Sequence, residues 1–329
     1  MEQVNEKKYL GQVLSNQNNN MANINYIKRK SRIISNKIFN MLDTLRLGRY
    51  FFECGIVFLK SLLRSSIIYS AETYYNLTEA EVREMEKIEE SFLIQLYNTE
   101  IGCPRSQLYL EGGIYPLRFE IMKIKTMFLH YILNEDTKSL ISQFYTTQKN
   151  FPQKGDWVSQ TNAICDYLEI DCKKEEFKLM SKIKLKSILK KKIENKALEY
   201  LLGLRGSKGQ EIEYKRLEMS DYLLPNNSQL SNDDKKYLFS IRNRMIRINS
   251  NFYGQKKTEN LCPSGCGKYE NMIHIYECQK LSGNTNINIQ YEKIFNGTLA
   301  EKIQIYKRMK QNIEKRNLYE NSKMGDISE

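Results

Sequence analysis

Long runs of this chain place apolar residues three, four or seven positions apart, a period that builds one face of a helix and not one face of a strand. From Ile24 to Leu47 the series is Ile27, Ile34, Ile38, Met41 and Leu45, with basic residues filling the other faces and Gly48 following as a C-terminal cap. Thr78-Glu79-Ala80-Glu81 has the form of a capping box, in which Thr78 accepts from the backbone N–H three residues on and Glu81 reaches back. Val82, Met85, Ile88, Phe92 and Leu96 then mark its buried face. Further helices are expected from Leu117 to Leu133, within the lysine-dense stretch Cys172 to Leu204, between Pro225 and Gly254, and from Thr298-Leu299-Ala300-Glu301 through about Asn317. Only 5 Pro and 16 Gly interrupt 329 residues, which agrees with a mainly α fold. Residues 4–14 alternate loosely before the polar segment Ser15 to Asn20, so a short strand or half-hairpin is expected there.

The most apolar stretch, Tyr50 to Tyr69, is broken by Glu53, Lys60 and Arg64, charges that are expensive at mid-bilayer, and reads as a buried helix. Met1 to Lys8 lacks the basic and apolar regions of a secretory signal. Pro152, Gly155 and the single tryptophan, Trp157, sit in a polar connector, which suggests a subdomain boundary near 148–156.

The sharpest chemical signal is Cys262-x3-Cys266-x7-His274-x3-Cys278. Three thiolates and one imidazole complete a tetrahedral zinc shell, and a closed set of this kind is structural rather than catalytic. A turn containing Gly265 and Gly267 can present the first two cysteines to one ion, while His274 and Cys278 lie one helical turn apart. Clustered cysteines beside a histidine point to metal binding in a reducing compartment, cytosolic or nuclear.

Other chemistry is sparse. His130 lies in the apolar run Met127 to Leu133 and reads as a core or boundary histidine; with His274 committed to metal it is the only possible base for a hydrolytic triad, which disfavours one. No GxxxxGK[ST] or GxGxxG loop occurs. Asn232-Asp233-Asp234-Lys235 follows Ser231 and reads as a helix N-terminus rather than a two-metal site.

Lys and Arg number 51 against 39 Asp and Glu, a formal +12 that favours polyanionic partners. The cations cluster at Lys28, Arg29, Lys30, Arg32 and Lys37, at Lys182 to Lys192, at Arg242, Arg244 and Arg247, and at Lys256-Lys257. Phe252 and Tyr253, between the last two clusters, are suited to stacking on unpaired bases. RNA or DNA is the expected partner, with no membrane and no small-molecule substrate.

Several segments, in order, resemble the C-terminal part of non-LTR (LINE-type) retrotransposon reverse transcriptases. Tyr9-Leu10-Gly11 is similar to the segment after the catalytic palm. Phe58 to Leu63, Tyr69 to Glu72, and Leu77-Thr78 with Glu81 to Glu90 resemble the thumb helices. Leu108 to Gly113 with Pro116-Leu117-Arg118 resembles the next block, and the Cys-Cys-His-Cys group resembles that family's zinc knuckle. The resemblance implies an elongated thumb-like and post-thumb helical bundle with a short N-terminal β element. It divides the chain into a palm remnant (1–20), a thumb-like domain (21–147), a second helical subdomain (148–250), the zinc knuckle (251–285) and a charged helix with a frayed tail (286–329). The family's aromatic-x-Asp-Asp motif would fall upstream of Tyr9 and is not found here. The expectation is therefore a chain that grips nucleic acid without polymerising it, or that assists a palm-bearing polypeptide in trans. A helical scaffold stapled by zinc is the rival expectation.

Overall fold

The computed structural model describes the chain apart from residues 1–5, 10–11, 16–19, 75, 101, 154, 205–211, 228, 247, 249–260, 284–288 and 326–329. It is mainly helical. Strands β1 (Glu6–Tyr9) and β2 (Gln12–Ser15) pair antiparallel, with Glu6 opposite Ser15 and Tyr9 opposite Gln12. Helix α1 (Met21–Thr44) follows and is tied back to the hairpin by the Val13 N–H, which donates to Asn23 Oδ1 at 3.0 Å.

The apolar stretch after Gly48 forms α2 (Phe51–Phe58), a π-helical turn (Leu59–Arg64) and a last short turn, α3 (Ser65–Ile67). A π turn inserts one residue into the helical register. The insertion coincides with the adjacent Leu63 and Arg64 both being buried. Arg64 is matched inside by Glu89, Nε to Oε1 at 2.6 Å, and by the Tyr115 carbonyl at 2.8 Å. Its partner helix, α4 (Glu79–Tyr97), opens on the expected capping box of Thr78 and Glu81. The apolar face of α4 is only part of what it buries: Glu86, Glu89 and Glu90 also turn inward, where Arg105, Arg118 and Arg64 meet them.

The chain continues through α5 (Arg105–Glu111), α6 (Leu117–Asn134), α7 (Leu140–Asn150), α8 (Trp157–Tyr167), α9 (Glu175–Leu179) and α10 (Lys182–Gly203). Two hydrophobic cores result. The first joins α1 to α5 and the start of α6 with residues from Leu201 to Ile313. The second is built from the rest of α6 with α8, α9 and α10, and Tyr200 and Leu217 touch both. Helix α6 serves each in turn, Leu117 and Ile121 in the first core and Phe119, Leu129 and Ile132 in the second. The expected boundary at 148–156 consequently divides no core, because Trp157 and Val158 beyond it pack in one cluster with Ile132 and Tyr145 before it. Trp157 is 6 % exposed and interior, whereas Phe151 of the same connector is 75 % exposed.

Helix α11 (Asn232–Arg242) starts at a capping box made by Ser231 and Asp234, as the Asn232-Asp233-Asp234-Lys235 segment suggested. Helices α12 (Met272–Glu277), α13 (Gln279–Ser282), α14 (Lys293–Asn296) and α15 (Leu299–Gly325) complete the fold. Thr298 Oγ1 accepts from the Glu301 N–H at 3.3 Å while Glu301 accepts from the Thr298 N–H at 2.7 Å, the expected cap of α15. Among the described residues no helix is long and apolar enough to cross a membrane.

Candidate metal centre and basic surfaces

Cys262 and Cys266 are presented by a tight turn. The Cys262 N–H donates to the Lys268 carbonyl at 2.9 Å, the Gly265 N–H donates to the Cys262 carbonyl at 3.0 Å, and Leu261 bridges Tyr269 antiparallel. Gly265 and Gly267 take φ of 72° and 74°, a region in which a side chain would be strained. Opposite them, Asn271 caps α12 by accepting from the His274 N–H at 2.7 Å, which fixes the first turn on which His274 stands. Cys278 closes that helix one turn later.

The ligand atoms of Cys262, Cys266, His274 and Cys278 all lie within 4.8 Å of one another. A tetrahedral ion with Zn–S of about 2.3 Å and Zn–N of about 2.0 Å has edges of about 3.5–3.8 Å, so the group is of the right size. Cys266 Sγ is 3.2 Å from His274 Nε2. Ser264 Oγ sits 3.1 Å from Cys262 Sγ and 3.6 Å from Cys278 Sγ, placed to donate to either sulfur once it is a thiolate. Burial holds the His274 imidazole below its ordinary pKa, with nearby Lys268 adding to the effect, so the ring is neutral as a ligand must be. Burial pushes the Cys262 thiol up to about 11, against the Ser264 hydrogen bond. Burial also opposes ionisation of Cys266, but the Lys268 backbone N–H and the Ser264 hydroxyl bring that thiol below its usual value. The four residues can hold a single metal ion, and their closed shell leaves no open position for a substrate.

The centre is set into the body of the protein. Cys262, Cys278, Met272, Ile275 and Tyr276 belong to the first core. Helix α15 packs across α12 and α13 and takes up their free carbonyls: Arg308 Nε donates to Tyr276 O at 2.9 Å, Asn312 Nδ2 to Ile275 O at 2.7 Å and Lys315 Nζ to Leu281 O at 2.9 Å. Arg316 pairs with Glu270, Nε to Oε1 at 2.7 Å, both side chains buried. The segment expected as a charged helix beyond a small separate knuckle is thus the brace that holds the Cys/His cluster. Sequence reasoning missed this brace. Nothing local marks Arg316 as the partner of Glu270.

The basic candidates meet different fates. On α1, Arg29, Arg32 and Lys37 are exposed and have no carboxylate partner among the described residues, while half-buried Lys28 pairs with Glu84 of α4. A groove of about 250 Å³ between these helices is lined by Lys28, Arg32, Asn36 and Gln95. Lys182, Lys184, Lys186, Lys190 and Lys191 are exposed along α10, and Lys192 pairs with Glu169 at 2.7 Å.

Arg242 requires a correction: it is 2 % exposed and no phosphate can reach it. Its Nε donates to Glu111 Oε1 at 3.1 Å and its Nη1 to the carbonyls of Ile294 and Phe295, the latter at 3.0 Å. Burial opposes the guanidinium charge, but Glu111 beside it more than restores it. Arg244 is half-buried at a φ of 54°. Arg247, Phe252, Tyr253, Lys256 and Lys257 lie outside the described residues. His130 is half-buried, with Nε2 2.8 Å from the Met180 carbonyl and its ring edge-on to Phe177, a boundary histidine as expected. Asp234, besides capping α11, accepts from Tyr306 and Lys310, so that acidic pair has a structural use.

The chain matches no protein-family model, no characterised protein and no solved structure.

Proposed function

We propose that this protein binds nucleic acid through basic helices, with one zinc ion held by Cys262, Cys266, His274 and Cys278 as a structural element. The observation that supports this best is the set of exposed cations on α1, Arg29, Arg32 and Lys37, of which Arg32 lines the groove between α1 and α4. Cations without carboxylate partners attract phosphate in a sequence-independent way and release counterions when they bind it. Zinc suits the ligand set because three thiolates and an imidazole select it over harder ions. In the reading drawn from the ordered motifs, the chain corresponds to the thumb-to-knuckle part of a non-LTR retrotransposon reverse transcriptase. It would grip template–primer or element RNA, alone or beside a polypeptide that supplies the palm. No catalytic step is assigned to its own residues.

The test is fluorescence anisotropy of labelled single-stranded and duplex RNA and DNA with the zinc-loaded full chain over a salt series. Binding is expected to weaken linearly in log salt. Arg29→Glu with Arg32→Glu and Lys37→Glu should flatten the slope by roughly 0.7 to 0.9 for each phosphate that is no longer neutralised. A chain that binds none of these polymers in low salt refutes the proposal. The second reading, a helical scaffold with zinc as a staple, is favoured by the burial of Cys262 and Cys278 in the first core. It predicts that the triple variant loses nothing but charge.

A further inference from the structure

Two cavities away from the metal centre share one side chain, Phe128. The first, about 550 Å³, is walled by Phe128, Phe144, Tyr145 and Trp157. Trp157 is held in place by its Nε1–H, which donates to the Glu72 carbonyl at 2.6 Å, and it stands edge-on to Phe128 with ring centroids 5.8 Å apart. Gln148 also lines this cavity. Its Oε1 accepts from the Val158 N–H at 3.3 Å, and its Nε2 has no partner among the described residues.

The second cavity, about 570 Å³, lies between α6 and α10. Tyr131, 51 % exposed, stacks on Phe128 there, centroids 5.9 Å apart and planes 12° from parallel. Lys182 and Lys186, one helical turn apart and both exposed, line it without a carboxylate partner among the described residues. Lys123 also lines it but is tied to Glu120 at 2.8 Å. Glu72 is the acidic side chain in its wall. In the first cavity Asp156 has both oxygens occupied by the N–H groups of Gln153 and Ser159, at 2.8 and 2.6 Å.

We propose that these adjoining cavities take one unpaired nucleotide of a single strand, its base among the aromatic rings with the Gln148 amide on its edge, and its phosphate at Lys182 and Lys186. This rests on the nucleic-acid reading above and adds to it a place where single strands are told from duplexes, since a paired base must first give up its pairing and stacking to enter. Pockets of this volume with aromatic walls and a few polar groups accept small planar ligands, and every base offers a π-face for stacking. An apolar side chain of a protein partner would use the rings but offer nothing to the amide or to the two lysines.

Trp157 is the chain's only tryptophan, so its emission reports on this site alone. The experiment titrates the zinc-loaded full chain with AMP, CMP, GMP and UMP and, in parallel, with a labelled single-stranded oligonucleotide followed by anisotropy. The expected result is a saturable change in Trp157 emission, weakened at least roughly tenfold by Lys182→Glu with Lys186→Glu, two exposed positions whose change leaves the circular dichroism intact. The double variant should likewise lose its preference for single strands over duplex. If the oligonucleotide binds while Trp157 emission does not move and the double variant binds equally well, the site is refuted and the general nucleic-acid reading stands. If neither mononucleotide nor oligonucleotide binds, both fail. Trp157 emission that responds to an apolar dye but to no nucleotide assigns the cavity to an apolar partner and overturns the proposal.

Discussion

Replacing Arg242 by Met separates two roles for one residue, a phosphate contact as its place in the sequence suggests, or an internal support as its surroundings dictate. Glu111 is fully buried, and its Oε1 accepts from Arg242 while its Oε2 accepts from Ser220 Oγ and, at 3.1 Å, from Tyr222 OH. Removing the arginine leaves a buried carboxylate without its counter-charge, which costs about 3–5 kcal/mol. The carbonyls of Ile294 and Phe295 lose their donor as well, at about 1–3 kcal/mol for each that finds no substitute. A loss of at least about 4 kcal/mol is expected, a large part of the ~5–15 kcal/mol that holds a typical fold. In urea melts of the zinc-loaded chain the midpoint should fall by on the order of 1 M. Glu111→Gln combined with Arg242→Met removes the uncompensated charge and should recover much of the loss, because a buried pair replaced as a whole is often neutral. Nucleic-acid affinity per folded molecule should not change. An Arg242→Met variant that melts like the wild type but binds nucleic acid more weakly, with a flatter salt slope, would refute the reasoning.

Cys262→Ser should take the zinc content of the purified chain from one ion to none and release α15 from α12 and α13, seen as new proteolytic cleavage beyond residue 272; a variant that keeps its ion and its resistance contradicts the assigned ligand set. Lys125 is 1 % exposed, bonded to Gln160 Oε1 at 3.2 Å, and burial pushes its pKa down to about 8 from the ordinary 10.5. Between those values the unfolded chain holds a proton that the folded chain has released, so this group's contribution to stability rises with pH from about 8 to about 10.5, by roughly 3 kcal/mol in all. Lys125→Met should therefore raise the melting temperature at pH 7 and abolish that part of the rise; equal pH profiles for variant and wild type would show that the ammonium is better solvated than its burial implies.

How much of this was legible in the chain varies with the range of the interaction. The capping boxes at Thr78 and Thr298 each form with a partner three residues away and were readable from residue type and spacing, while at Ser231 only a helix N-terminus was read. The Cys262, Cys266, His274 and Cys278 cluster, which could hold one metal ion, was equally open to reading, since a turn and one helical repeat determine its spacing. The basic cluster at Arg242, Arg244 and Arg247 was not. Its charge is plain, but whether a cation faces water depends on what the fold brings against it.

Local periodicity, capping and residue spacing settled on their own the mainly helical class, the capped helix starts after Thr78 and Thr298, and the Cys-Cys-His-Cys group. These are properties of residues within a turn or two of each other. Only the tertiary structure decided that α6 would span two cores, that α15 would brace the metal centre, that Phe128 would join two cavities, and that Arg242 would be interior. Glu111 and Arg242 are 131 positions apart, and Glu270 and Arg316 are 46 apart. Over such separations no periodicity links the partners, and burial alone turns a surface charge into a structural one.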